Sequence, residues 1–227
     1  MLVAAPSVAS RPSDLAGLPP AAVARRARAA AVRAAGVRVI AHAVSTLGGV
    51  TVRLTVTIDA ARSRALEREV VTARGLRAVA QARLAPSGAW CQGNALGLEE
   101  TCDLAAADAA AAHGRWVELE RPSRPLARLA ASTLLRGQFA HLFLPGAATS
   151  ATARAGRLGR RAVVVVTERV GRASTVTLVV ARFGAARLER AVMVAPGWRA
   201  VERFSRWGER VVVVPPRGAV PLARLRA

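Results

Sequence analysis

The sequence predicts an α+β fold, a twisted antiparallel sheet flanked by a compact set of apolar helices. Three observations carry this. Residues 37–58 alternate apolar and polar side chains over two runs joined by Leu47-Gly48-Gly49. Residues 162–195 hold three strand-like runs at about ten-residue spacing, punctuated by Gly171, Gly184 and Pro196-Gly197, the pattern of an antiparallel meander. Between them lie segments whose Ala and Leu content favours helix.

Each element follows from local chemistry. Residues 19–35 predict a helix: Pro20 suits the first turn, Ala dominates, and Gly36 is a natural stop. Its apolar stripe (Ala21, Val23, Ala27, Ala31, Val32) is weak and ringed by Arg25, Arg26, Arg28 and Arg33, so it reads as a helix packed on a sheet rather than a membrane-surface helix. In 37–44 and 50–58, Val37, Val39, Val50, Val52, Leu54, Val56 and Ile58 each take every second position, which predicts a hairpin buried on one side. Residues 60–85 are ambiguous: they read as helix by propensity, which an all-β neighbourhood could override, and Pro86-Ser87-Gly88 reads as a turn followed by a short strand over 89–92. A single helix is expected over 95–113, with Glu99, Glu100 and Asp103 near its positive end. Residues 115–120 read as a short strand. Residues 124–144 read as two short helices hinged near Gly137, the most apolar non-strand stretch of the chain. Gly156-Arg157-Leu158-Gly159 reads as a turn. Strands are expected over 162–170, 173–183 and 187–195, with shorter ones over 199–206 and 210–214.

The 227 residues form one domain, since no linker composition divides them. The expected boundaries are 1–18 as a disordered N-terminal segment or the remnant of a signal peptide, 19–216 as the domain, and 217–227 as a C-terminal tail. Val8-Ala9-Ser10 fits a signal-peptidase site, but neither a basic n-region nor a long apolar run precedes it. An ordinary Pro-broken N-terminus fits the same residues. Cys91 and Cys102 lack CxxC spacing; in an oxidising compartment they could close a short loop, and in a reducing one they are small apolar fillers.

The formal charge is +20, and every one of the 34 cations is Arg. No structural reason removes all Lys from a solvated surface, so GC-rich codon bias accounts for most of this excess. The field would still attract polyanions, including anionic lipid surfaces. Dedicated nucleic-acid recognition is disfavoured: the Arg residues are scattered, and at 4% aromatics no stacking platform exists. Catalysis finds no support either. His42, His113 and His141 form no ligand pair, no GxSxG elbow occurs, and without Lys the phosphate-binding lysine of a P-loop cannot exist. No cofactor and no metal site is expected.

The second half carries a resemblance. Trp90 lies in a short strand, Gly93-Asn94-Ala95 follows, then a helix, Gly114-Arg115-Trp116-Val117, the Leu/Phe helices, and the closing run FSRWGERVVVVPP from Phe204 to Pro216. In this order they resemble the LolA–LppX-like lipoproteins of actinobacteria. The resemblance implies a curved antiparallel half-barrel cupping several helices around an apolar cavity that carries lipid or lipid-modified chains. It also implies an exported, envelope-facing, non-enzymatic and monomeric protein. On that fold Leu126, Leu129, Leu134, Leu135, Phe139, Leu142 and Phe143 would line or gate the cavity, with Arg at its mouth holding an anionic head group. An envelope sensor or protein-interaction module on the same fold is the alternative, and a basic nucleic-acid binder is the third.

Overall fold

The computed structural model describes residues 14–140, 142 and 148–225. The signal-peptide reading of the first residues, His141 and Phe143 lie outside them. Among the described residues five α-helices and twelve strands follow one another as α1 (Pro20–Arg33), β1 (Val37–Leu47), β2 (Val50–Ala60), β3 (Ala65–Ala73), β4 (Leu76–Ala85), β5 (Gly88–Gly93), α2 (Ala95–Cys102), α3 (Ala106–Ala112), β6 (Val117–Glu118), α4 (Arg124–Thr133), α5 (Leu135–Ala140), β7 (Ala148–Leu158), β8 (Arg161–Val170), β9 (Ser174–Ala181), β10 (Leu188–Ala195), β11 (Trp198–Ser205) and β12 (Val220–Pro221), with a short 3-10 helix over Leu222–Leu225. All strands join one curved, unclosed sheet in the order β12-β6-β5-β4-β3-β2-β1-β11-β10-β9-β8-β7. The N-terminal meander β1–β5 and the C-terminal meander β7–β11 are fused where β1 pairs antiparallel with β11, Val39 opposite Phe204. The helices lie on the concave side, as expected for an α+β half-barrel.

Several expectations are corrected. Residues 60–85 form strands β3 and β4, not a helix. Ala65, Glu67, Glu69 and Val71 point inward while Leu66, Arg68 and Val70 point outward. Two inward carboxylates therefore masked the period of two, and inward Ala78, Ala80 and Ala82 passed for helix formers. The 95–113 segment breaks at Asp103, which adopts φ 55° and separates α2 from α3. Asp103 accepts Arg124 Nε at 2.8 Å and Arg128 Nη1 at 2.6 Å, tying that corner to α4. The hinge in 124–144 falls at Leu134, which is extended, and Gly137 lies inside α5.

Gly156 is a strand residue opposite Val163, and the turn is one step later, at Gly159-Arg160. β7 escaped detection because it is an edge strand with few apolar residues, its edge occupied by Arg154 and Arg157. The 115–120 strand shortens to Val117–Glu118.

Described residues on both sides of 19–216 also pack against the fold. Leu15 is fully buried, and Asp14 pairs with Arg182 at 2.6 Å. At the other end β12 pairs parallel with β6, and Leu222 is buried. Residues 210–214 pair with no strand. They belong to a strap running from β11 across the convex face, where Val211 is buried and the Val214 carbonyl accepts from Arg83 Nη1 at 2.8 Å.

The Gly-Asn element has a clear structural task. Asn94 caps α2: its Oδ1 accepts from Gly97 N at 2.9 Å and from Val79 N at 3.0 Å, while its Nδ2 donates to the Arg77 carbonyl at 2.6 Å. Gly97 lets α2 sit directly on the β4 backbone, because a Cβ there would collide with Val79. Asn94→Ala removes the cap and strands two backbone groups of β4, an expected loss of about 2–3 kcal/mol. Urea unfolding measures it, and a loss below about 0.5 kcal/mol would mean that water replaces the amide at both β4 groups.

Candidate functional site

Strand register decides which side chains share the concave face. One row runs Phe204, Val39, Ile58, Glu67, Ala82, Cys91 across β11, β1, β2, β3, β4 and β5. The next runs Leu178, Ala191, Glu202, Ala41, Val56, Glu69, Ala80. A third, towards the β1–β2 turn, runs Glu168, Val176, Met193, Ala200, Ala43, Leu54, Val71, Ala78. In this third row Ala43, Leu54, Val71 and Val176 keep partial exposure.

The helices divide the remaining concave face into two packed cores. Leu129 is buried with Leu98, Leu104, Val117 and Leu222, and Leu126 and Leu134 pack against that group. Leu135, Phe139 and Leu142 are buried in the other core with Val23, Ala27, Val39, Ile58, Leu178 and Phe204. Phe139 stacks on Phe204 at 5.4 Å and on Trp207 at 5.8 Å between ring centroids. The predicted site residues thus separate at the Leu134–Leu135 step into two groups. Phe143 falls outside the described residues.

Most strand arginines and four glutamates lie on opposite faces of the sheet, although Asp59 shares the convex face with Arg38 and Arg157 pairs with Ala162 on the concave face. Arg38, Arg53, Arg68, Arg83, Arg169, Arg190, Arg199 and Arg203 all project from convex-facing positions, whereas Glu67, Glu69, Glu168 and Glu202 face the helices. Arg38 is held by Asp59 in a two-pronged pair at 2.7 and 2.6 Å on the convex side. Glu67 is 8% exposed, and burial, with Glu69 nearby, pushes its carboxyl up to about 8. Burial also raises Glu69, against the lowering effect of the Thr101 hydroxyl, which donates to Glu69 Oε1 at 3.1 Å. Burial raises Glu168. Sequence reading missed these carboxylates because two of them lie in the segment that reads as helix by propensity.

Arg lines the clefts around α1. One of about 530 Å³ is bounded by Arg25, Arg26, Arg33 and the β9–β10 turn at Gly184–Ala186. Another of about 390 Å³ is bounded by Arg33, Arg62, Arg64 and Arg210. The predicted leucines line neither. Among the described residues no group of three or more His, Cys, Asp or Glu could hold a metal, and no helix is long and apolar enough to cross a membrane. Cys91 and Cys102 are joined in a disulfide that fixes α2 to β5. This cross-link closes a short loop, worth roughly 2–3 kcal/mol.

No protein-family model matches the sequence, and no curated protein matches it by sequence. Solved structures do match by shape. Lipoprotein LppX of Mycobacterium tuberculosis superposes with a TM-score of 0.52 at 16% identity, covering 86% of this chain and 98% of its own. LprF of Mycobacterium bovis superposes with a TM-score of 0.51 at 13% identity, covering 92% of this chain and 100% of its own. Similarity at this level of identity, spread over nearly the whole of both chains, shows shared architecture, and the chain has the LolA/LppX-like half-barrel fold.

Proposed function

We propose that the protein binds a lipid or an acylated molecule on the concave face of the half-barrel, without catalysis, as an exported monomer of the cell envelope. One observation carries the reading. In the third concave row Ala43, Leu54, Val71 and Val176 are apolar side chains that keep partial exposure, set among Met193, Ala200 and Ala78, which are buried, with Glu168 at the end of the row. An acyl chain laid along this strip would gain about 0.8 kcal/mol per buried CH₂. Leu135, Phe139 and Leu142 would close the helical end of that strip, and Leu126, Leu129 and Leu134 would brace it through α4. The disulfide supports an oxidising compartment.

The test is lipid extraction and mass spectrometry on protein purified from an actinobacterial host, beside Leu54→Trp, which fills the strip. Wild type is expected to carry lipid and the variant at least about tenfold less, since one blocked acyl position removes several CH₂ contacts. No lipid on wild type, or equal loading of the variant, would sink the reading.

A second reading, an interaction module for an acidic partner segment, is favoured by one observation: the clefts around α1 are lined by Arg25, Arg26, Arg33, Arg62 and Arg64 and by no acid. Its signature is saturable binding of an acidic peptide, lost in Arg26→Gln/Arg33→Gln, by a protein that is free of lipid.

A further inference from the structure

The antiparallel connections place four turns, β1–β2, β3–β4, β8–β9 and β10–β11, at one end of the half-barrel, the end towards which the third concave row lies. Three of these turns end in large apolar side chains. Leu47 is 82% exposed and Leu76 66%, the two highest values among the exposed large apolar residues, and Trp198 is 37% exposed. Leu47 is carried out by Gly48 and Gly49, both at positive φ.

The three are neighbours by register. Trp198 lies opposite Ser45, Ser45 opposite Val52, Val52 opposite Ala73, and Ala73 opposite Leu76. That is four strand spacings, about 20 Å at 4.8 Å each. Scattered apolar side chains on a surface need no explanation, but a row of them on protruding tips does.

The charge at this end selects the partner. Residues 44–53, 71–78, 169–176 and 193–200 contain Arg53, Arg74, Arg77, Arg169, Arg172 and Arg199 and no Asp or Glu, and Glu168, one residue before the third of these stretches, faces the helices. Apolar tips with an indole among them, ringed by cations, are the chemistry of a surface that sits at the head-group level of an anionic bilayer. We propose that this end docks on an anionic lipid bilayer, with Leu47, Leu76 and Trp198 entering the interface and the surrounding Arg residues holding the head groups. The docking goes beyond the cargo reading and does not need it. If both hold, an acyl chain passes from the bilayer to the third row without crossing water.

The experiment is co-sedimentation of the full chain with vesicles of pure phosphatidylcholine and of phosphatidylcholine mixed with phosphatidylglycerol, at about 0.15 M salt, where long-range attraction is screened. Wild type is expected to sediment with the anionic vesicles. L47S/L76S/W198S is expected to bind about tenfold more weakly, for three lost apolar insertions. V212S/V214S, which removes two valines 62% and 64% exposed on the strap, is expected to bind as wild type. R53Q/R74Q/R77Q/R199Q should lose binding more than R25Q/R26Q/R62Q/R64Q, which removes the same charge at the far end. Bromine-labelled lipid should quench Trp emission in wild type, and less so in L47S/L76S, which keeps Trp198. The proposal is overturned if the tip variant binds as wild type, or if both sets of Arg variants weaken equally, since binding would then follow net charge alone. All tip positions are solvent-exposed, so a circular dichroism melt should match wild type. Lipid recovered by extraction is measured separately, and its absence bears on the cargo reading while leaving the docking intact.

Discussion

Phe139→Ala is expected to remove about 3–5 kcal/mol of folding stability. Phe139 is 1% exposed and sits where three structural layers meet. Its ring stacks on Phe204 from β11 and on Trp207 from the start of the strap, and α5 presses it onto the core built by α1, Val39 and Ile58. Truncation leaves a void bordered by two other rings, and rings relax poorly into a gap of that shape. The Trp207 indole is further fixed by donating Nε1 to the Leu188 carbonyl at 3.1 Å, so it cannot swing in. Guanidinium unfolding would give the loss directly. Leu126→Ala, on a half-buried side chain of α4, should cost clearly less. If Phe139→Ala instead cost under about 1 kcal/mol, the ring would border a space that is open in solution, because only a side chain facing a pre-existing cavity can be deleted that cheaply. The same pair of variants therefore tells core from cavity wall for α5.

That contrast also shows why the half-barrel was legible while its interior was not. Strand 50–58 announces itself because one face is Val, Leu or Ile and the other is Thr or Arg, and the meander 162–195 because Val-rich runs of strand length recur between Gly and Pro-Gly turns. A one-residue slip would exchange those faces, so the alternation specifies both strand and register. The helix pair in 124–144 was readable from its Leu and Phe content, but which residues face a ligand depends on how α4 and α5 split between two cores. Leu134 and Leu135 are adjacent in sequence and belong to different cores, a separation no periodicity encodes.

β3 and β4 stay ambiguous in sequence for a more instructive reason. Their inward residues are Glu67, Glu69 and a run of Ala, where a strand reader looks for Val and Ile. Ala78, Ala80 and Ala82 are small because α2 lies directly on β4, with Gly97 against the Val79 backbone. Small inward residues are the counterpart of a close helix, and in isolation they carry helix propensity. Tertiary contact overrode local preference there.

The excess of positive charge also changes meaning once faces are assigned. Most strand arginines project from the convex side and three inward positions of β3 and β8 carry Glu, so on the docking proposal an anionic head group would find its cations at the hairpin tips rather than within the concave face. Codon bias supplies Arg indiscriminately, but the fold sorts it: a guanidinium is tolerated wherever water reaches it, and the concave side is where water is excluded.

Glu67 is where that exclusion has its largest predicted consequence. The carboxyl is nearly fully buried, and its Oε2 makes no hydrogen bond among the described residues. Burial raises it from an ordinary 4.5 to about 8, with Glu69 adding to the shift. The fold therefore prefers the protonated acid. Its contribution is fully present below about pH 4.5, where the unfolded chain is also protonated, and is lost progressively as pH rises towards 8. At one pKa unit per 1.36 kcal/mol, the deficit at pH 7 is on the order of 3 kcal/mol and saturates above pH 8. Glu69 and Glu168 are raised in the same direction and should steepen the decline, while Asp14, lowered to about 2 by Arg182, acts only at much lower pH.

Glu67→Met keeps the volume without the charge and should raise stability at pH 8 by about 3 kcal/mol or more. At pH 4.5 it should match wild type. Glu67→Gln should flatten the pH profile similarly but gain less, because its amide remains buried without a partner. Urea midpoints at pH 4.5, 6 and 8 test this. A wild-type midpoint that stays level across that range would show that Glu67 is hydrated or paired in solution, which requires water to reach the space between the two cores. A Glu67→Met curve that falls clearly less than wild type over that range, its remaining slope left to Glu69 and Glu168, would instead identify Glu67 as the main group that makes the half-barrel more stable in acid than in alkali.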